Sequence, residues 1–126
     1  MTTAIILFAH GARDPEWAAP MRRVQAAIRT AAPTMPVELA FLEFMAPDLP
    51  TCAAEAIAAG ARKVVVLPMF IAQGGHLKRE VPEMLAAMQA RWPTVEFVLD
   101  RAIGEEESVV QAMAAAALMK AGAALA

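Results

Sequence analysis

Runs rich in apolar residues alternate with apolar residues at helical spacing, and this alternation predicts the order of the elements. The runs cover residues 4–8, 37–42, 63–68 and 95–99. Their near-continuous apolar character is typical of strands buried on both faces of a parallel sheet. Between them, apolar residues recur every three or four positions, as at Trp17, Met21, Val24 and Ile28, which indicates amphipathic helices. We predict an α/β fold: a single open four-stranded parallel sheet in the order 2-1-3-4 with helices on both faces, forming one domain over residues 1–126.

Prolines, acidic residues and glycines predict where the first two helices begin and end. Residues 14–16, Asp-Pro-Glu, indicate the start of the first helix, because a carboxylate caps a helix and proline suits its first turn. Pro20 either kinks that first turn or marks the regular start of the helix. Residues 47–48, Pro-Asp, open the second helix, and Gly60 ends it in a left-handed conformation.

The second half of the chain follows the same rules. Pro82 fits the first turn of a third helix, so residues 69–80 are predicted to be irregular. Gly104 and the acidic run 105–107 start a fourth helix, with its negative charges at the positive end of the helix dipole.

Composition narrows the class of protein. The 126 residues are 59% hydrophobic, above the roughly 45–50% of an ordinary domain, and part of the excess fits a buried subunit interface. No apolar run reaches the ~20 residues of a membrane span, and residues 1–3 lack the basic start of a secretory signal. The one cysteine, Cys52, excludes an internal disulfide. From these features we expect a cytoplasmic protein with no membrane partner. The formal net charge of −2 argues against nucleic acid as the main partner.

Both histidines of the chain follow a predicted buried strand. His10 comes directly after the first strand and precedes Gly11, and His76 comes after the third strand and the pair Gly74-Gly75. In the order 2-1-3-4, strands one and three are neighbours at the point where strand order reverses, which is where open α/β sheets bind ligands. Glu43 leaves the end of strand two beside them. We therefore expect these two imidazoles and this carboxylate to converge on one crevice.

Such a group of side chains suits two kinds of chemistry. Two imidazoles and a carboxylate bind divalent ions such as Co²⁺, Fe²⁺, Ni²⁺ or Zn²⁺, and they can also transfer protons near neutral pH. Gly11, Gly74 and Gly75 allow backbone to approach a ligand closely. The nearby basic residues favour an anionic substrate, and they are Arg13, Lys78 and Arg79, with Arg101 at the end of strand four.

A structural interpretation stands beside each of these assignments. A histidine at a strand end is more often structural than catalytic, and a glycine pair is most often only a turn. Glu43 alone is as consistent with a solvated or capping carboxylate as with a functional one. What favours function is that both histidines occupy equivalent places beside glycines.

Three segments resemble a known family. Residues 10–15, His-Gly-Ala-Arg-Asp-Pro, resemble the "HGSR-x-P" opening of the class II tetrapyrrole chelatases that act on sirohydrochlorin. Residues 41–47 resemble their "AFLE-x-x-x-P" segment, and residues 67–70 with 74–82 resemble their "P-L-F…GGH…D-I-P" segment. Ala12 replaces the usual serine, and Glu80-Val81 replaces Asp-Ile. Neither change removes a metal ligand.

The resemblance implies a function and a set of roles. Members insert Co²⁺ or Fe²⁺ into sirohydrochlorin without ATP, on the routes to cobalamin or sirohaem, and we favour cobalt. Long relatives contain two such α/β units, so this single unit resembles the small homodimeric form with its cleft between subunits. On this hypothesis His10 and His76 ligate the metal, and Glu43 with a histidine accepts the two pyrrole protons. Substrate is held by Gly11, Arg13, Gly74, Gly75, Lys78 and Arg79. No cofactor beyond the substrate metal is expected.

Other classes of protein remain as alternatives. A histidine phosphatase also has His-Gly after its first strand, but it needs an arginine directly before the histidine, where this chain has Ala9. A non-catalytic metal or tetrapyrrole carrier would use His10 and His76 but has no need of Glu43. A flavodoxin-like interaction module would bind neither metal nor tetrapyrrole.

Overall fold

The sheet has the predicted order. The structure, a computed structural model, describes residues 2–123. Its strands are β1 (Thr2–Ala9), β2 (Val37–Phe41), β3 (Ala61–Pro68) and β4 (Glu96–Leu99), all parallel and in the order β2-β1-β3-β4. The observed strand ends lie within two residues of the predicted ones. β1 and β3 are therefore central neighbours, and both carboxyl ends open on one edge of the sheet.

Four helices connect or follow the strands. They are α1 (Ala19–Ala31), α2 (Leu49–Ala58), α3 (Gly75–Arg91) and α4 (Glu107–Lys120), with 3₁₀ turns at Pro15–Ala18 and Ile103–Glu105. Pro20 lies in the first two positions of α1, so it marks the regular start of the helix rather than a kink. Asp48 caps α2 by accepting a hydrogen bond from the Thr51 N–H at 2.9 Å. Gly60 follows α2 with a φ of 111°, as predicted.

The predicted start of the third helix is wrong. α3 begins at Gly75, not near Pro82, and Pro82 lies inside it. The residues before the proline carry the same apolar stripe as those after it: Val81 is fully buried, and Leu77 packs against the core. Burial of this stripe offsets the cost of an interior proline, about 3 kcal/mol. His76 is consequently a helical residue and does not lie in a loop.

Helices cover both faces of the sheet unequally. One core cluster joins alternate residues of β1, among them Ile6 and Phe8, to Leu49 of α2 and to Val81 of α3. The opposite face has a smaller cluster of Ala9, Ala18 and Phe41, with Met21 of α1 packed against it. α4 contributes no buried residue and carries exposed apolar side chains, which are Val110, Met113, Leu118 and Met119. Among the described residues, no helix is long and apolar enough to cross a bilayer.

Candidate functional site

The ends of β1 and β2 place a histidine against a carboxylate. His10 is the first residue after β1, and Glu43 lies two residues after β2. Backbone pairing continues past both strands, because the N–H of Leu42 donates to the Ala9 carbonyl at 2.9 Å and that of Glu43 to the His10 carbonyl at 3.0 Å. His10 Nε2 then lies 2.8 Å from Glu43 Oε1, with both side chains about half exposed. The parallel register thus holds this pair, as predicted from the strand order.

Gly11 makes this close approach possible. Its φ is 94°, in the left-handed region, and a Cβ there would overlap the carbonyl oxygen of Glu43 and lie 3.1 Å from its carbonyl carbon. Residues with a side chain rarely adopt this conformation. Glycine at position 11 therefore lets the segment after β1 pack directly against the backbone of Glu43.

The second histidine has a carboxylate partner of its own. His76 is the second residue of α3, and its Nε2 lies 2.8 Å from Oε2 of Glu80, four residues later on the same helix. The His76 side chain is 80% exposed. Glu80 has no predicted role from the sequence, in which residues 69–80 are expected to be irregular. The signal that would have found it is the spacing of four, which brings two side chains together only on a helix.

His10, Glu43 and His76 do not form one preassembled group. Within residues 2–123, no three His, Cys, Asp or Glu side chains are placed so that they could hold a metal ion. The chain instead presents two separate histidine–carboxylate pairs, His10–Glu43 and His76–Glu80. Of the three groups predicted to converge, His10 and Glu43 are in direct contact, whereas the carboxylate that His76 contacts is Glu80.

The basic residues of the site differ in their contacts. Arg13 has its guanidinium carbon 4.8 Å from the ring centre of Phe44, over the ring face. Lys78 and Arg79 are exposed in the first turns of α3. Arg101 is held instead by a carboxylate, since its Nε donates to Oε1 of Glu106 at 3.0 Å, and this hydrogen bond raises the pKa of the guanidinium further.

An open surface depression lies beside the second pair. His76, Arg79, Glu80 and Glu83 line it, and its volume is about 390 Å³. The depression is open to solvent rather than enclosed, and its lining carries both positive and negative side chains.

The glycine pair before His76 is not required by the backbone of this chain. Gly74 is the residue before the first turn of α3, with φ −70° and ψ 164°, values open to any residue. A Cβ at Gly74 or Gly75 would meet no atom within 4 Å. A need for glycine here would have to come from a bound molecule or a second chain.

Known proteins resemble this chain in both sequence and fold. The family model described as CbiX matches residues 4–118. A sirohydrochlorin cobaltochelatase of Methanococcus aeolicus is 33% identical over 86 residues, which are 68% of this chain and 60% of that protein. A sirohydrochlorin ferrochelatase of Bacillus subtilis is 30% identical over 118 residues, 90% of this chain but 43% of that protein.

A solved structure has the same fold over nearly its full length. The crystal structure of a cobalamin-biosynthesis CbiX protein from Marinobacter aquaeolei VT8 aligns with a TM-score of 0.84 and 26% identity, covering 95% of this chain and 98% of that one. The chain spans about half the length of the curated relatives that it matches.

Proposed function

The chain belongs to the CbiX family, and we propose that it is a chelatase that inserts a divalent metal, cobalt in preference to iron, into sirohydrochlorin. The observation that carries the proposal is the contact of 2.8 Å between His10 Nε2 and Glu43 Oε1 at the carboxyl ends of two adjacent strands. A carrier has no need of such a pair, whereas metal insertion requires both a metal ligand and a proton acceptor.

The reaction balance explains why a carboxylate beside the imidazole is useful. When M²⁺ enters the macrocycle, two pyrrole N–H bonds break, two metal–nitrogen bonds form, and two protons must leave. In the metal-free protein a hydrogen bond joins His10 Nε2 to Glu43 Oε1, with one proton between them. A metal ion on that nitrogen releases this proton to solvent. Transfer of the metal to the macrocycle then lets His10 Nε2 take one pyrrole proton and Glu43 the other.

We assign the second histidine to the same delivery. His76, with Glu80 hydrogen-bonded to it, is the second ligand for the incoming metal, and neutral imidazole suits both Co²⁺ and Fe²⁺. The peripheral carboxylates of sirohydrochlorin would pair with Arg13, Lys78 and Arg79. The exposure of these cations supports that role, because an anionic macrocycle must reach them from solvent.

We further propose that the protein works as a homodimer in the cytoplasm. α4 exposes Val110, Met113 and Met119, and Val65 and Leu67 of β3 are only partly buried. A partner subunit that covered these apolar surfaces would bury side chains that a single four-stranded unit leaves exposed. The roughly twofold length of relatives such as the Bacillus subtilis ferrochelatase supports a functional unit of two such domains.

A direct assay tests the proposed function. Metal-free protein is mixed with sirohydrochlorin and Co²⁺ or Fe²⁺, and insertion is followed by the visible spectrum. We expect His10→Ala and Glu43→Gln to lower kcat by at least about 100-fold, the range of a lost general base. Glu38→Gln is the matched control, because Glu38 lies on β2, the strand that leads to Glu43, and makes only a loose surface contact of 3.8 Å with Arg29.

Three outcomes would contradict the proposal. If the protein binds sirohydrochlorin and Co²⁺ without accelerating insertion, it is a carrier. If both variants insert metal at the wild-type rate, the site is wrongly assigned. Hydrolysis of p-nitrophenyl phosphate without added metal would instead indicate a phosphatase.

A further inference from the structure

Phe44 has two features that the fold itself does not explain. Its side chain is 56% exposed, and it belongs to neither core cluster. Its φ is 66°, and it is the one non-glycine residue with a positive φ in residues 2–123. A bulky side chain rarely takes this conformation, and an exposed aromatic ring forgoes the gain from burial. Strained residues of this kind occur mainly at functional sites.

The position of Phe44 places it at the proposed metal-delivery pair. It follows Glu43 directly, and Glu43 is hydrogen-bonded to His10 through both backbone and side chain. Arg13, three residues after His10, lies over the Phe44 ring with its guanidinium carbon 4.8 Å from the ring centre. The segments after β1 and β2 therefore present an aromatic ring and a cation side by side, next to a metal ligand and a proton acceptor.

These groups match the chemistry of one class of ligand. A flat conjugated ring system stacks on an aromatic face or edge, and a guanidinium binds carboxylates in a planar, paired geometry. The stacking of Arg13 on one side of Phe44 also orients the ring. A small metal chelate or a free ion would use neither the ring nor its exposure.

We propose that Phe44 is a substrate-positioning residue, on whose exposed ring the tetrapyrrole macrocycle lies while Arg13 binds one of its peripheral carboxylates. The inference rests on the proposed chelatase function and adds the residue that orients the macrocycle over the His10–Glu43 pair. The two tasks belong to different residues: Phe44 holds the macrocycle, whereas His10 and Glu43 exchange metal and protons with it.

The test measures macrocycle binding apart from metal insertion. Metal-free sirohydrochlorin is titrated into metal-free protein, and the change in its visible absorbance gives Kd. We expect Phe44→Ala to raise Kd about tenfold, the effect of losing one stacked ring. Phe44→Tyr keeps the ring and should stay within about twofold of wild type. In steady-state insertion, Phe44→Ala should raise KM for sirohydrochlorin while kcat at saturation changes little.

Two further variants separate binding from folding. Phe44→Gly removes the ring and relieves the left-handed strain, so it should bind as weakly as Phe44→Ala while unfolding no more readily than wild type. Arg13→Ala should also raise Kd for sirohydrochlorin. Its matched control is Arg91→Ala, because Arg91 lies over the ring of Trp92 at 4.3 Å at the far end of α3, and its loss should leave Kd unchanged.

Each outcome decides between clear alternatives. If wild-type protein binds and metallates sirohydrochlorin and Phe44→Ala does so with the same Kd and KM, the role of Phe44 is refuted and the proposed function stands. If wild-type protein neither binds nor metallates sirohydrochlorin, both fail. If Phe44→Ala weakens self-association in sedimentation velocity without changing Kd, the ring is a subunit contact, which also refutes the proposal.

Discussion

Replacement of Gly11 by alanine tests the geometry of the site most sharply. Gly11 has a φ of 94°, and an added Cβ would overlap the carbonyl oxygen of Glu43. The obstacle is backbone rather than the end of a flexible side chain, so the segments after β1 and β2 must move apart. That movement disturbs the hydrogen bond of 3.0 Å from the Glu43 N–H to the His10 carbonyl. Gly11→Ala should therefore lower both stability and insertion rate.

The size of the stability loss follows from three contributions. A left-handed conformation costs a residue with a Cβ about 1–2 kcal/mol, and forcing an atom into a packed region costs about 1–3 kcal/mol. The lower entropy of the unfolded alanine chain offsets about 0.4–1 kcal/mol of this. The net loss for Gly11→Ala is about 1–4.6 kcal/mol. This is a large share of the roughly 5–15 kcal/mol that stabilises a typical domain.

Gly60 offers a matched control for the strain alone. Its φ is 111°, but a Cβ there would meet no atom within 4 Å. Gly60→Ala should cost only about 1 kcal/mol and leave insertion unchanged. Urea unfolding followed by circular dichroism measures both free energies of unfolding, and the visible spectrum of the macrocycle measures insertion. The reasoning is refuted if Gly11→Ala and Gly60→Ala are equally stable and insert metal at the same rate.

Three other changes test separate parts of the structure. Glu80→Gln should weaken Co²⁺ binding to the metal-free protein about tenfold. Carboxylates that orient a histidine ligand change metal affinity by about 10–100-fold, and we expect the low end because the His76–Glu80 pair is exposed. Calorimetric titration measures this affinity, and an unchanged value would show that Glu80 does not assist His76. Asp48→Ala should cost about 1 kcal/mol at pH 7 by removing the cap on α2. The hydrogen bond from Thr51 lowers the pKa of Asp48. The stabilisation by the Asp48 cap is therefore present above the unfolded pKa of about 3.9 and should disappear as the pH falls through the lower folded pKa. A stability difference between Asp48→Ala and wild type that persists in urea unfolding at pH 2 would contradict this. Burial raises the pKa of the Cys52 thiol to about 12. At pH 8, iodoacetamide should therefore modify the native protein hardly at all and the urea-unfolded protein rapidly. Fast alkylation of the native protein, measured by mass spectrometry, would refute the burial of Cys52.

The sheet and the His10–Glu43 pair were predictable because they depend on topology. Apolar runs of strand length identify buried parallel strands, and adjacent parallel strands bring the residues after their carboxyl ends together. No side-chain detail is needed for that step, which is why Glu43 could be placed beside His10. The structure reproduces it at 2.8 Å.

Features that depend on competing local energies were not predictable in the same way. Pro82 signals a helix start, yet burial of Leu77 and Val81 extends α3 seven residues toward the N-terminus. Because the third helix was predicted to begin too late, the contact between His76 and Glu80 was not predicted. A spacing of four residues brings two side chains together on a helix but not in a loop. The left-handed conformation of Phe44 depends on the backbone path of the segment after β2. A pattern of apolar and polar residues contains no information about that path.

The two histidine–carboxylate pairs suit the proposed delivery of a metal ion. Sites that retain zinc surround it with four protein ligands, whereas each of these pairs offers one imidazole and one carboxylate. An ion held by an incomplete set of ligands binds weakly and keeps open positions, and four converging macrocycle nitrogens can then displace the protein. In the proposed delivery, each imidazole that loses the metal regains a hydrogen-bonded carboxylate, Glu43 for His10 and Glu80 for His76. This regained hydrogen bond would offset part of the free energy needed to release the metal to the macrocycle.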